Sequence, residues 1–261
     1  PPSFSELFIQ EQIPSINVNG ICECCGKYGT ISFVPLIDGM NDKNDHSGEE
    51  FIFLIDCSSS MRNEINLASE CLIFFIKSLP KDCYFNIIRF GSNFDPYFER
   101  PVLLNDSNAE IALNKAKTLD ADLDKTALLS PLSHIFTTPL SEEEKLRRVF
   151  ILTDGCILDK NEVIDLIKNN STSTMINAIG IGYGVDKKLV EEISIAGGGF
   201  FDFVLSGDDM ISKVIKQLSK SMNGFRRFHI SIENNEDVEI VPSLKSCQIT
   251  KPKIILMKIF I

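Results

Sequence analysis

The chain has 261 residues, 44% of them apolar, a formal net charge of −10 and eight cysteines. That length suffices for one large α/β domain with additions, or for two small domains, with a core that needs no covalent staples. An acidic chain without a basic run is a poor partner for nucleic acid or an anionic membrane, because phosphates are bound by Lys and Arg. No stretch approaches the roughly 18 consecutive apolar residues of a membrane-spanning helix.

The N-terminus, Pro1-Pro2-Ser3-Phe4, has neither an initiating Met nor the layout of a signal peptide. The other end, residues 254–261, stops inside an apolar run, so the chain is expected to be a piece of a longer protein. Cys22, Cys24 and Cys25 stand close together, but a structural Zn site uses two spaced pairs and no second pair follows. Cys57, Cys71, Cys83 and Cys156 lie in or beside apolar runs, where a free thiol behaves as a small buried hydrophobe. Nothing resembles a disulfide framework, which points to a reducing, cytoplasmic setting. Secretion is the alternative, and Asn105, Asn169 and Asn170, each in an Asn-x-Ser/Thr match, give it only slight weight.

Residues 30–34 alternate as a half-buried strand does, and residues 41–50 are polar throughout and read as a linker. Residues 51–55 are continuously apolar, as a strand covered on both faces is. Ile65, Ala68, Leu72, Phe75 and Leu79 follow at helical spacing up to Pro80. A strand over 84–90, a short edge strand over 96–101, a helix over 109–119 capped by Ser107 and a helix over 127–136 disturbed by Pro131 come next. Residues 149–152 form a buried strand that runs into Thr153-Asp154-Gly155. Helices over 162–168 and 188–195 alternate with strands over 175–181 and 200–205. A last helix over 208–222 puts Met210, Ile211, Val214, Ile215 and Leu218 on one face.

Strands alternating with helices predict an α/β fold, doubly wound, with a mostly parallel six-stranded sheet and helices on both faces. From residue 228 on, strand patterns appear without helices, and these are expected to pair with residues 1–40 as a small β-structured element outside the sheet. The expected division is 1–49 as a connector with a strand that ends an upstream domain, 50–222 as the α/β domain, and 223–261 as a β-rich start of a downstream element.

Ligands of open α/β sheets bind beyond the C-terminal ends of the strands, near the topological switch point. Two buried strands deliver polar groups there, one at Asp56-Cys57-Ser58-Ser59-Ser60 and the other at Thr153-Asp154-Gly155. Two carboxylates and their hydroxyl neighbours repel or go unpaired unless a cation sits among them, and Mg²⁺ takes a few oxygen ligands while keeping several waters.

Asp-x-Ser-x-Ser after an apolar strand resembles the metal-ion-dependent adhesion site (MIDAS) of von Willebrand factor type A (vWA) domains. Asp56, Ser58 and Ser60 match its first element, Thr126 its lone Thr and Asp154 its last Asp, and the resemblance covers about residues 50–222. Ser78-Leu79-Pro80, Cys83-Tyr84-Phe85-Asn86, Ala121-Asp122-Leu123 and residues 150–155 are similar to the vWA domains of proteins that place a VIT domain ahead of them. That group includes the von Willebrand factor A domain-containing protein 5 group, vault poly(ADP-ribose) polymerase and the inter-alpha-trypsin inhibitor heavy chains. In it an Ile-Ser-Phe-Val-Pro-like strand precedes the vWA domain, as residues 31–35 do here. The resemblance implies a Rossmann-like fold and a module that binds a partner protein's Asp or Glu through Mg²⁺, with Mn²⁺ or Ca²⁺ as alternatives. It implies hydroxyl ligands from Ser58, Ser60 and Thr126, with Asp56 and Asp154 acting largely through waters. Ser59 stands where the family usually has Gly, and Asp124-Lys125 where it has Gly-Gly; Asp124 adds a carboxylate and Lys125 a competing cation.

An enzyme is the competing class. Ser58 occupies the position where haloacid-dehalogenase phosphatases need a second Asp, and neither Ser58 nor Ser60 lies in a Gly-x-Ser-x-Gly elbow. His46, His134 and His229 have no catalytic spacing, and Gly180, Gly182 and Gly184 read as a turn rather than a dinucleotide fingerprint. The expectation is no enzyme. A scaffold role in a large assembly, with a vestigial metal site, is the alternative.

Overall fold

The computed structural model describes residues 46–224 except 143, 144, 156, 158, 172 and 206–209, and the backbone of seven strands nearer the chain ends. Cys156, residues 41–45 and the side chains of Cys22, Cys24, Cys25 and His229 lie outside the described residues. Two units are distinguished, one formed by His46–Asn223 and one by Pro1–Asp45 with Gly224–Ile261.

In the unit of the two ends, Leu7–Gln10 pairs antiparallel with Arg227–Ile232, which also pairs with Cys247–Gln248. Tyr28–Ile37 lies between Ile16–Cys25 and Ile255–Phe260, and Glu239–Val241 adds to the latter. The two ends thus form β-structure together, outside the large sheet.

The large unit is a sheet flanked by helices. Its strands are β1 (Glu50–Asp56), β2 (Tyr84–Phe90), β3 (Phe94–Pro96), β4 (Val102–Leu103), β5 (Arg147–Thr153), β6 (Thr174–Ile181) and β7 (Gly198–Val204). The order is β7-β6-β5-β1-β2-β3, parallel from β7 to β2. The sheet has seven strands where six were expected. The predicted edge strand over 96–101 is split, because β3 pairs antiparallel with the end of β2 and β4 with its start, with residues 97–101 looping between them.

Among the described residues six α-helices flank the sheet: α1 (Ile65–Ser78), α2 (Asp106–Lys117), α3 (Leu129–Thr137), α4 (Lys160–Asn170), α5 (Lys187–Ala196) and α6 (Met210–Gly224). Successive residues of β1 point to opposite faces. Phe51, Phe53 and Ile55 pack in a core with residues of α1, α2 and α6, while Ile52 and Leu54 pack in a second core with residues of α3, α4 and α5. Covering on both faces is why β1 and β5 read as unbroken apolar runs. The rings of Phe53, Phe75 and Phe150 meet at 4.9–5.6 Å in the first core.

Several local expectations change. The cap of α2 is Asn105, whose side chain accepts from the Asn108 amide at 2.8 Å, rather than Ser107, which lies inside the helix. Pro131 sits in the first turn of α3, where its missing N–H costs no intrahelical bond, so it does not disturb the helix. On α6 only Val214 and Leu218 of the predicted face are fully buried; Ile211 and Ile215 are exposed. The buried strip is completed by Gln217, which donates to the Phe200 carbonyl at 2.7 Å, and by Ser221, which bonds to Asn177 at 3.1 Å.

The polar stretch before β1 is not all linker. Glu50 is buried and accepts from Arg147 Nε at 2.7 Å, and Glu49 pairs with the buried Arg148. Arg148 also donates from Nε to the Ser221 carbonyl at 3.2 Å. Burial pushes the Glu49 carboxyl up, but the His46 hydrogen bond at 2.7 Å and the Arg148 charge together hold it below the usual carboxylate range.

Candidate metal centre

The chain leaves β1 toward β2 on one side and later returns to β5 on the other, so the switch point lies at the C-terminal ends of β1 and β5. The parallel register pairs Ile55 with Leu152, which brings the next residues, Asp56 and Thr153, side by side. Asp56 is fully buried. The Thr153 hydroxyl donates to its Oδ2 at 2.6 Å, and the Ser58 amide donates to its Oδ1 at 3.0 Å. The hydroxyls of Ser58 and Ser60 meet at 2.9 Å, with Ser58 buried and Ser60 exposed.

Asp154 follows directly and is buried, and its carbonyl accepts from the Asp186 amide at 3.0 Å. Gly155 turns the chain at φ +86°; a side chain there would be strained and would press on the Asp186 backbone at 2.9 Å. The Gly155 amide donates to the Thr153 hydroxyl at 2.9 Å, which leaves that hydroxyl's proton for Asp56.

Thr126 is buried on a third segment, and backbone bonds fix that segment to the first. The Leu123 amide donates to the Cys57 carbonyl at 2.9 Å and the Ser59 amide to the Asp124 carbonyl at 2.8 Å. On the far side, Ser92 donates to Leu123 at 2.8 Å and Ala127 to Gly91 at 3.0 Å. Asp124 adopts φ +37°, in the left-handed region that glycine favours and that Asp tolerates. Ser59 needs no such allowance, since its φ is not positive. The side chains of Asp124 and Lys125 are exposed.

Burial raises the Asp56 carboxyl to about 6; the hydroxyl of Thr153 and the donors of Ser58 pull it down, and the charge of Asp154 pushes it further up. Asp56, Ser58 and Ser60 are thus joined to one another and to Thr153, while Asp154 and Thr126 are brought to the same edge by their backbones. Among the described residues no three His, Cys, Asp or Glu gather as a metal cluster. The donor set here is of another kind, two carboxylates with neutral hydroxyls, and it fits a small hard cation. The role of Thr153 was not foreseen; its signal in the sequence is a hydroxyl residue directly before Asp154, at the end of a strand that neighbours β1.

A family model described as von Willebrand factor type A domain matches residues 49–203. A von Willebrand factor A domain-containing protein of Dictyostelium discoideum is 36% identical over 191 residues, 72% of this chain and 21% of its own length. Von Willebrand factor A domain-containing protein 5A of Homo sapiens is 35% identical over 202 residues, 74% of this chain and 25% of its own length. The chain therefore spans about a fifth to a quarter of these curated relatives. Among solved structures, a von Willebrand factor type A protein from Catenulispora acidiphila superposes with TM-score 0.67 at 14% identity, over 94% of this chain and 64% of that one. Proximal thread matrix protein 1 of the mussel byssus, with a zinc-occupied MIDAS motif, superposes with TM-score 0.53 at 19% identity, over 65% of this chain and 45% of that one.

Proposed function

The chain belongs to the von Willebrand factor type A family, and from that premise we propose that its sheet unit is a protein-interaction module holding a divalent cation, Mg²⁺ first, through which it takes an Asp or Glu of a partner protein. One observation carries the proposal. A fully buried Asp56 has both oxygens held by fixed donors, beside a second buried carboxylate, at the sheet edge where ligands bind.

Asp56 and Asp154 supply charge; Ser58, Ser60 and Thr126 supply hydroxyl oxygens. When bound, the ion offers a Lewis-acidic point that attracts an outside carboxylate. The chain's own residues do the rest. Thr153 and the Ser58 amide fix the Asp56 rotamer, and the Ser59–Asp124 bond keeps the Thr126 segment against the Asp-x-Ser-x-Ser loop. The mussel fold neighbour holds zinc in a MIDAS motif, which makes a divalent ion the ligand to try first. We propose binding without turnover: the described histidines are engaged elsewhere, His46 by Glu49 and His134 against Phe94. A cytoplasmic setting is part of the same proposal, in keeping with Cys57, Cys71 and Cys83 as buried free thiols.

The test is calorimetric titration of Mg²⁺ and Mn²⁺ into the chain and its Asp56→Ala variant, with a partner pull-down in Mg²⁺ and in EDTA. Saturable heat from the native chain alone, and capture lost in EDTA, is the expected result. No heat up to millimolar ion makes the site vestigial and leaves a scaffold role. Mg²⁺-dependent phosphoester hydrolysis abolished by Asp56→Asn overturns the absence of turnover.

A further inference from the structure

Arg89, on β2, reaches across to the segment that carries Thr126. Its guanidinium donates to the Asp120 carbonyl at 3.3 Å and forms an ion pair with the Asp122 carboxylate. Its strand also holds the Asp-x-Ser-x-Ser loop, since the Cys57 amide donates to the carbonyl of Phe90, the residue after Arg89, at 2.8 Å. One side chain therefore ties the segment that carries Thr126 to the strand beside β1. The loop it grips has few other side-chain anchors. Ser92 Oγ accepts from the Lys125 amide at 3.1 Å, and Asp120 accepts from the Ala121 amide at 2.8 Å.

We propose that Arg89 is a positioning residue for the cation site: by gripping Asp120 and Asp122 it sets the 120–126 segment so that Asp124 meets Ser59 and Thr126 faces the serine pair's edge of the sheet. The inference rests on the cation-site proposal above and assigns the control of its geometry to a cationic residue outside the ligand set. Charge alone argues the other way, since a nearby guanidinium repels a divalent ion. Neutralising Arg89 therefore separates the two effects by sign.

The experiment measures Mn²⁺ affinity and ion-free amide exchange in the native chain, Arg89→Met and Asp122→Asn, each checked by a thermal melt. Asp122 is half exposed and its change conserves shape, so that variant keeps the fold if Arg89→Met does not. Arg89→Met is expected to weaken Mn²⁺ binding about tenfold or more, as loss of an outer partner of a ligand loop does, despite removing a like charge. In both variants the Ser59, Leu123 and Lys125 amides should exchange faster while β1 and β5 stay protected. Mn²⁺ binding by Arg89→Met as tight as or tighter than native overturns the proposal. If the native chain binds no ion, the cation reading falls by itself. The exchange arm then decides the role of Arg89, and unchanged exchange of those amides in a folded Arg89→Met or Asp122→Asn overturns it.

Discussion

The Thr153 hydroxyl donates to Asp56 Oδ2 at 2.6 Å, although the two residues stand 97 positions apart in the chain. The bond joins the ends of β5 and β1, and the Gly155 amide completes it by donating to the same hydroxyl at 2.9 Å. After the apolar run of β5, Thr153 orients Asp56 and Gly155 makes the turn, with Asp154 buried between them.

Thr153→Val keeps the shape and removes the donor. It leaves the buried Asp56 oxygen and the Gly155 amide without that partner, which should destabilise the ion-free protein by about 1–3 kcal/mol. Urea denaturation followed by circular dichroism measures it, and an unchanged midpoint would show that the hydroxyl orients nothing.

Burial is the main push on the Asp56 carboxyl, and Asp154→Asn removes the smaller upward push of a neighbouring charge. Mg²⁺ should raise the native melting temperature, because a ligand of the folded state alone stabilises it, by about 2.7 kcal/mol of free energy at a hundredfold excess over Kd. In Asp154→Asn that rise should vanish, with the ion-free variant melting slightly above the ion-free native protein. Differential scanning calorimetry with Mg²⁺ titrated against both proteins reads both effects.

The folded Asp56 carboxyl titrates at about 6 against an ordinary value of 3.8. A raised carboxyl favours the folded state while protonated, so its contribution is full below about pH 4 and is lost as the pH rises through 6, roughly 2–3 kcal/mol in all. Glu49 runs the opposite way: its lowered carboxyl contributes above the usual 4.5 and is lost as the pH falls through its folded value. The difference in unfolding free energy between native and Asp56→Asn in EDTA, from pH 4 to 7.5, isolates the first trend. A difference that is flat over that range contradicts the upward push that burial gives Asp56.

Arg148 is fully buried, and Glu49 is its counter-charge. Arg148→Met should cost about 3–5 kcal/mol, because it leaves Glu49 without its main cation and the Ser221 carbonyl without a donor. Adding Glu49→Gln should recover part of that loss, giving a coupling in a double-mutant cycle on urea midpoints. Additive losses would mean the two side chains do not act as a pair.

What the sequence disclosed and what it hid divide along a physical line. β1 and β5 were legible because both faces of each are covered, so the apolar run needs no interpretation; Asp56, Ser58, Ser60 and Asp154 follow closely on such runs, whereas Thr126, in a loop between α2 and α3, was reached only through the family resemblance. Glu49 and Glu50 read as linker because their partners Arg148 and Arg147 lie about a hundred residues away. The roles of Thr153 and Arg89 depend on strand register and on a loop's path, which local spacing does not encode. Asp124 was flagged for lacking the glycine usual there; its φ of +37° lies in the left-handed region that glycine favours. Asn105 lost to Ser107 as the expected cap because propensity does not separate the two.

Because Leu7–Gln10 pairs with Arg227–Ile232, these strands cannot meet on a growing chain until all of His46–Asn223 has left the ribosome. Joined by an unstructured coil of that length, they would face a closure cost about 3 kcal/mol above that of a short loop. Arg148 changes the arithmetic once the sheet unit has folded, since it ties Glu49, near that unit's first residue, to Ser221, near its last. The connection between the terminal strands then shortens from residues 11–226 to residues 11–49 and 222–226, which lowers the closure cost by roughly 1 kcal/mol.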